Sequence, residues 1–163
     1  HGNSYKNVLS HCMSIVPEAI SVRSHGLHVS TDIISEMLKH GLKIESSIFM
    51  PNITDFQNFY IERNNKKILR IPFNWEDDYE FYQSFKKYKF ENINHYKKLI
   101  MNFHPIHVYL NSNSNIEYEK YKLNKNYTFS KDLGSENMLD EIINEKLKKN
   151  IQIKNLKDFS ILK

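Results

Sequence analysis

The sequence predicts an α/β protein with parallel strands. Segments of strand-type patterning alternate along the chain with segments of helical periodicity, and parallel strands need crossover connections of this kind. Polar side chains follow several of these strands directly, as they do at the carboxyl edge of a parallel sheet. The chain has 163 residues, of which 40% are hydrophobic, so it is long enough to bury the core of about one domain.

Periodicity and stop signals predict the elements of the first half. Apolar residues recur at helical spacing up to Pro17, which ends the first helix, and Gly41 suits the end of the second. Strands are indicated by alternation or by short apolar runs, and the pair Asn64 and Asn65 marks a turn. The predicted order is helix, strand, helix, strand, strand, at residues 4–16, 19–25, 31–41, 43–50 and 67–73, with a less regular segment at 55–65.

The second half is predicted in the same way. Its elements are a helix at 79–88, a buried-type strand at 99–103, a loop at 111–115 and a strongly amphipathic helix at 136–149. Residues 151–163 are expected to form a last strand or a tail. No change of composition and no internal repeat divides the chain, which favours a single domain.

Charge and composition exclude several classes of protein. The formal net charge is +4, but acids alternate with the lysines and only three residues are arginine, so nucleic-acid binding has weak support. No run approaches the roughly 20 apolar residues of a membrane helix, so we expect no membrane insertion, and without a visible targeting segment we expect a cytoplasmic location. Cys12 is the single cysteine, which excludes an internal disulfide framework and a Cys-rich zinc module.

Three sets of polar residues follow predicted strands: Arg23 with His25, the segment 75–78, and His104 with His107. Loops at the carboxyl ends of parallel strands converge, so we expect these sets to meet in one site. Imidazole is a common metal ligand and titrates near neutrality, so the histidines suit either a metal site or acid–base catalysis. His25 and His104 are the stronger candidates, because each follows an apolar strand in a polar context.

Glu76, Asp77 and Asp78 place three carboxylates beside Trp75, the only tryptophan. Adjacent carboxylates repel each other, so one of them is expected to hold a metal, pair with an arginine or orient a histidine. The same acids suit the start of a helix, where they stabilise free backbone N–H groups, and both interpretations stay open. Arg23, if buried at its strand end, requires an acid partner. The sequence has no Gly-rich phosphate loop and no Gly-x-Ser-x-Gly motif, which removes most support for nucleotide hydrolysis and serine nucleophiles.

Four segments together resemble the polysaccharide deacetylase family of the NodB-homology superfamily, and most closely its WbmS-like branch. In the order of the family, they are HGN at 1–3, VRSH at 22–25, IPFNWEDD at 71–78 and NFHPIH at 102–107. The last segment, with the VYLN that follows it, is the most specific. The resemblance covers about residues 1–113 and implies a distorted (β/α) barrel. It also implies one deacetylase-like domain over residues 1–163, with a C-terminal helical part at 114–163.

The resemblance implies a metal-dependent hydrolase that removes acetyl groups from an N-acetylated sugar or polysaccharide precursor. The expected cofactor is a divalent metal, with zinc as the expected ion, and its expected ligands are His1 and His25. His104 is expected to protonate the leaving amine, Asp77 or Asp78 to orient His104, and Arg23 to steady a catalytic Asp. The expected catalytic residues are therefore His104, Arg23 and Asp78, and the expected substrate-binding residues are Asn3, Phe73, Trp75, Asp77 and His107.

Two departures from the family pattern concern the N-terminal end. The paired Asp residues that supply the base and a metal ligand in the family would precede His1, and Tyr5 stands where a second family His would be. We therefore expect a chain that lacks an N-terminal part of the barrel. The alternative hypotheses are a non-catalytic carbohydrate-binding or scaffold relic of the same fold and, less well supported, a basic nucleic-acid-binding domain.

Overall fold

The structure is a computed structural model of a mixed α/β chain, and it describes residues 3–82, 95–125, 130–148 and 151–160. The α/β class predicted from the sequence is confirmed. The chain divides into two compact units. The first comprises His1–Met50, Phe56–Phe73 and Lys154–Lys163, and the second comprises Pro51–Asp55 and Asn74–Ile153. The single domain over residues 1–163 stays a prediction.

The described residues contain six α-helices and six short strands. The α-helices are α1 (Tyr5–Ile15), α2 (Thr31–Lys39), α3 (Asp77–Tyr82), α4 (Pro105–Leu110), α5 (Asn115–Leu123) and α6 (Ser135–Leu147). The strands are β1 (Ser21–Val22), β2 (Ile44–Glu45), β3 (Phe59–Arg63), β4 (Lys66–Arg70), β5 (Trp75–Glu76) and β6 (Met101–Asn102). Two 3₁₀ turns lie at His25–Leu27 and Leu156–Ser160.

The sheet of the first unit has the strand order β1-β2-β4-β3. β1, β2 and β4 are parallel, whereas β3 pairs antiparallel with β4. The two strands of this hairpin are joined by Asn64 and Asn65, which both have positive φ (50° and 59°), a conformation that Asn tolerates. The turn was predicted from the sequence, but β3 was not. Most of its side chains are exposed on both faces, so the apolar alternation that marks a strand is missing.

The core of the first unit is built on the apolar face predicted for α2. Ser30 caps this helix, because its Oγ accepts a hydrogen bond from the N–H of Ile33 at 3.3 Å. The helix then places four apolar side chains on one face, toward α1 and β4. The buried side chains of this core are Leu9, Ile33, Ile34, Met37, Leu38, Leu42 and Ile68.

The second unit contains a two-stranded parallel sheet, β5 and β6, which is held in place by Asn74. Asn74 is 2% exposed. Its Nδ2 donates to the carbonyl oxygens of Ile53 at 2.7 Å and Lys98 at 2.9 Å, and its Oδ1 accepts from the N–H of Ile100 at 2.9 Å. The amide therefore satisfies three backbone groups in two segments, just before the two strands pair.

Asn111 connects α4 to α6 within the same unit. It ends α4 in the left-handed conformation, with φ 47°. Its Nδ2 donates to Oδ1 of Asn137 at 2.8 Å, and its Oδ1 accepts from the N–H of Glu136 at 3.2 Å. Gly134, which precedes α6, lies directly against Asn111, and a Cβ at this glycine would stand 2.1 Å from the Asn111 carbonyl oxygen.

Gly134→Ala is expected to lower the free energy of unfolding by about 3 kcal/mol, because the added methyl group overlaps backbone that cannot move away cheaply. The measurement is reversible denaturant unfolding. Gly41→Ala is the matched control, since a Cβ there meets nothing within 4 Å and only the positive φ of 80° is unfavourable. That cost is about 1 kcal/mol. Equal losses in the two variants would contradict the steric argument.

Several expected features differ from the structure. Within the described residues the sheets are open, and a closed barrel is not seen. α5 lies in the part expected to be helical, but no separate helix was predicted there, because the segment has a capping box at Ser114 and little apolar periodicity. The expected helix at 79–88 begins earlier, at Asp77, and residues 83–88 lie outside the described residues. The expected final strand or tail forms a 3₁₀ turn instead, up to Ser160. No described helix is long and apolar enough to cross a membrane.

Candidate active site

The candidate site lies at the carboxyl ends of β5 and β6. Because the two strands are parallel, the residues that follow them lie at the same edge of the sheet. Asp77 and Asp78 follow β5 directly and form the first residues of α3. His104 follows β6 after one further residue and caps α4. The structure thus brings together the polar residues that follow β5 and β6.

Asp77 holds His104 by both its ring and its backbone. Asp77 is fully buried, at 0% exposure. Its Oδ1 lies 2.6 Å from Nδ1 of His104, and its Oδ2 accepts the backbone N–H of His104 at 2.9 Å. Oδ1 also accepts the N–H of Asp78 at 3.0 Å. The two interpretations left open for these acids therefore hold together, since Asp77 both starts α3 and orients a histidine.

The hydrogen bond that Asp77 accepts determines which ring nitrogen of His104 remains available to a substrate or a metal ion. With Nδ1–H donated to the carboxylate, Nε2 is the free nitrogen, on a side chain that is 36% exposed. Nε2 lies 3.9 Å from Oε1 of Glu76 and 4.0 Å from Oδ2 of Asp78. The hydrogen bond to Asp77 raises the pKa of His104 above its usual range, and the surrounding carboxylates reinforce it against the opposing effect of burial.

His107 is a second imidazole, one turn along α4. Its ring centroid is 5.5 Å from that of His104, and it packs edge-on against Phe81 at 4.9 Å and Tyr118 at 5.5 Å. The residue is 5% exposed. Burial lowers its pKa, so the neutral ring is favoured. Its Nδ1 is buried and has no hydrogen-bond partner within the described part of the chain.

Glu76 and Trp75 form strand β5, next to the acids that start α3. Glu76 accepts a hydrogen bond from Nδ2 of Asn102 at 2.6 Å, across the β5–β6 pair. Burial raises the pKa of Glu76 above its usual range. Trp75 is 8% exposed and packs against Phe103, with ring centroids 4.8 Å apart. The tryptophan therefore supports the segment that carries His104.

The other predicted site residues lie in the first unit. Arg23 follows β1, and its Nε donates to the carbonyl oxygen of Ser46 at 2.7 Å while its guanidinium lies 4.2 Å from the ring of Phe73. Phe73 is fully buried. His25 and Asn3 are exposed. The acid partner of Arg23 and the roles of these residues stay predictions, and His1 lies outside the described residues.

The second unit contains a set of side chains whose chemistry suits a metal ion. Asp78, His104 and His107 each offer one ligand atom, and these atoms lie within 4.8 Å of one another. One carboxylate and two imidazoles are a common zinc donor set. The unpartnered Nδ1 of His107 is consistent with this use of the ring. His25 is an expected metal ligand that lies among the described residues, but it is not in this set.

Comparison with known proteins then decides the family. The sequence matches the WbmS-like polysaccharide deacetylase family over residues 1–122, about three quarters of the chain. The chain belongs to this family. The family predicted from the sequence is thereby confirmed.

A solved structure shares the fold of this WbmS-like chain. It is a Bordetella bronchiseptica protein described as a polysaccharide deacetylase involved in O-antigen biosynthesis, and the TM-score is 0.76 at 24% sequence identity. The match covers 93% of this chain and 64% of that chain. This chain therefore spans slightly less than two thirds of the length of the Bordetella protein. The comparison with curated proteins gave no match.

Two functional contacts of this WbmS-like chain were missed in the sequence. Asn102 lies within the motif at 102–107, but nothing in the sequence indicates that it binds Glu76. Nor does the sequence indicate that Asn74 is the amide that positions both strands. An asparagine next to or within an apolar strand segment is a usable signal, because a buried amide requires several partners. Its partners are distant in sequence, and no local pattern indicates them.

Proposed function

We propose that this chain belongs to a metal-dependent carbohydrate deacetylase. The proposed reaction is hydrolysis of an acetamido group on a sugar or polysaccharide precursor. The observation that carries the proposal is the hydrogen bond between the buried Asp77 and Nδ1 of His104. It leaves one imidazole nitrogen exposed beside carboxylates, at the edge where two parallel strands end. Membership of the polysaccharide deacetylase family supports the substrate class.

His104 is proposed to act as the proton donor. Hydrolysis of an acetamide adds water to the carbonyl and breaks the C–N bond, and the departing nitrogen must take a proton to leave as an amine. Nε2 of His104 is placed to supply it, and the raised pKa of the ring keeps the proton available near neutral pH. Asp77 is a positioning residue, which fixes the tautomer and orientation of the ring. Asp78 is proposed as a further catalytic residue, and its Oδ2 lies 4.0 Å from Nε2 of His104.

A divalent ion, expected to be zinc, is proposed as the cofactor with His1 and His25 among its ligands. Imidazole nitrogens suit zinc, so the chemistry of this donor set fits the ion. When bound, the ion would polarise the acetyl carbonyl and lower the pKa of water. Arg23, held by Ser46, is proposed to steady a carboxylate of the same reaction.

The sugar is proposed to bind against the residues around His104. Trp75, Asp77, His107, Phe73 and Asn3 are the residues proposed to bind the sugar. The distorted (β/α) barrel of the family is the proposed complete fold.

Acetate release tests the proposed function. The full natural protein, supplied with zinc, is expected to release acetate and free amine in equal amounts from N-acetylglucosamine oligosaccharides, because one C–N bond breaks per turnover. Acetate is measured enzymatically and the amine with a fluorogenic reagent. Treatment with a chelator should stop both, and added zinc should restore them. Binding of the oligosaccharide without any acetate would instead support the non-catalytic carbohydrate-binding protein.

A further inference from the structure

His107 is the feature that the proposed reaction leaves unexplained. An imidazole that is 5% exposed normally satisfies its ring nitrogens, since an unpartnered buried polar atom costs about 1–3 kcal/mol. Yet Nδ1 of His107 has no partner among the residues that the structure describes. Three aromatic rings hold the side chain in place, so it is fixed next to His104. A ligand that accepts an imidazole lone pair would remove this cost.

We propose that Asp78, His104 and His107 form a binding site for one divalent transition-metal ion such as zinc, in addition to the ion expected at His1 and His25. Their ligand atoms lie within 4.8 Å of one another. Tetrahedral zinc has bonds of about 2.0–2.1 Å and places its ligand atoms about 3.3 Å apart. Side-chain rotations that move each ligand atom by about 1 Å therefore bring the three atoms to bonding distance from one ion. Asp78 is 37% exposed and starts a helix, which leaves its carboxylate room to move.

The surroundings of the three ligands suit an ion. Asp77 accepts the Nδ1–H of His104, and zinc-binding histidines usually donate their second nitrogen to a carboxylate in this way. Glu76 adds negative charge, 3.9 Å from Nε2 of His104. The second unit alone supplies the whole set.

Metal binding at this site and proton donation by His104 exclude each other. Nε2 has one lone pair, which carries either a proton or a metal ion. An ion bound there therefore removes the proton donor, and excess zinc inhibits the enzyme. This inhibitory consequence rests on the proposed function, whereas the site itself rests on the geometry alone.

Zinc calorimetry on the 163-residue chain and its variants tests the site. Asp78→Asn and His107→Leu are each expected to weaken zinc binding at this site by at least about 10-fold, because each removes one ligand. Asp140→Asn and His95→Gln, which change exposed residues outside the set, are the matched controls. Cobalt(II) absorption gives an independent reading of a tetrahedral site, and circular dichroism confirms that the variants fold.

The outcomes of these measurements distinguish this site from the metal site expected at His1 and His25. Loss of one bound ion in both ligand variants, with His25→Gln and the controls unchanged at this site, supports the proposal. No zinc binding by the unaltered chain overturns it, as does affinity that is kept in Asp78→Asn or lost only in His25→Gln. Zinc binding without acetate release under any condition would overturn the proposed reaction and leave the site standing.

Discussion

His104→Gln is expected to lower kcat for acetate release by about 10²–10⁴-fold, the usual contribution of a positioned acid or base. Glutamine keeps a polar side chain of similar reach but cannot deliver a proton to the departing nitrogen. Its effect on substrate binding should be small, because the proton is needed only as the C–N bond breaks. Steady-state kinetics on an N-acetylglucosamine oligosaccharide measure both constants.

The matched control for this variant is His95→Gln, which changes an exposed histidine of the same unit. It should retain the kcat of the unaltered enzyme. A second test uses an acetylated substrate whose leaving group is a good phenolate, which departs without a proton. The loss in His104→Gln should shrink with that substrate. An equal loss with both substrates, or normal activity with the sugar, would remove His104 from the role of proton donor.

Asp77→Asn is expected to reduce kcat by about 10²-fold or more, because the amide no longer fixes the ring of His104 in the correct tautomer. It also removes the largest cause of the raised His104 pKa. Activity that needs protonated His104 falls as pH rises through this pKa. The basic limb of the pH–rate profile should therefore move to lower pH in the variant. A purely structural role for Asp77 would lower the rate at every pH without moving the limb.

The same pair makes folding stability depend on pH. The pKa of His104 is raised in the folded protein, so its contribution to stability is fully present below the unfolded pKa of about 6.5 and is lost as pH rises through the folded pKa. NMR titration of the metal-free protein reads the histidine pKa directly, and Asp77→Asn should lower it. An unchanged His104 pKa in the variant would contradict the assignment of its cause to Asp77.

Much of the fold was predictable because its signals are local. α2 has a capping serine and an apolar face at helical spacing, and the Asn64–Asn65 turn is specified by two residues that accept positive φ. β3 and α5 were missed, because their exposed surfaces carry little periodicity. The barrel implied by the resemblance is a property of strand closure, which no short segment determines.

The candidate site was predictable by residue type but not by pairing. His104 and the adjacent acids stand out because they follow apolar strands. Which acid binds the imidazole cannot be deduced from the sequence, since Asp77 and Asp78 are neighbours of the same type. Their difference arises from the start of α3, which buries Asp77 against β6 and leaves Asp78 37% exposed. The importance of His107 follows from its aromatic surroundings, because Phe81 and Tyr118 come from two other segments of the chain.

The hydrogen bond that the backbone N–H of His104 donates to Asp77 also fixes the register of the two strands. β5 and β6 share only two residue pairs, and a slip by one residue would turn every side chain to the opposite face. With Asp77 and Asn102 both bonded across the pair, the alignment is set by side chains at the site itself. The geometry around His104 is therefore held by the side chains of the site and does not depend on a long run of backbone pairs between the strands.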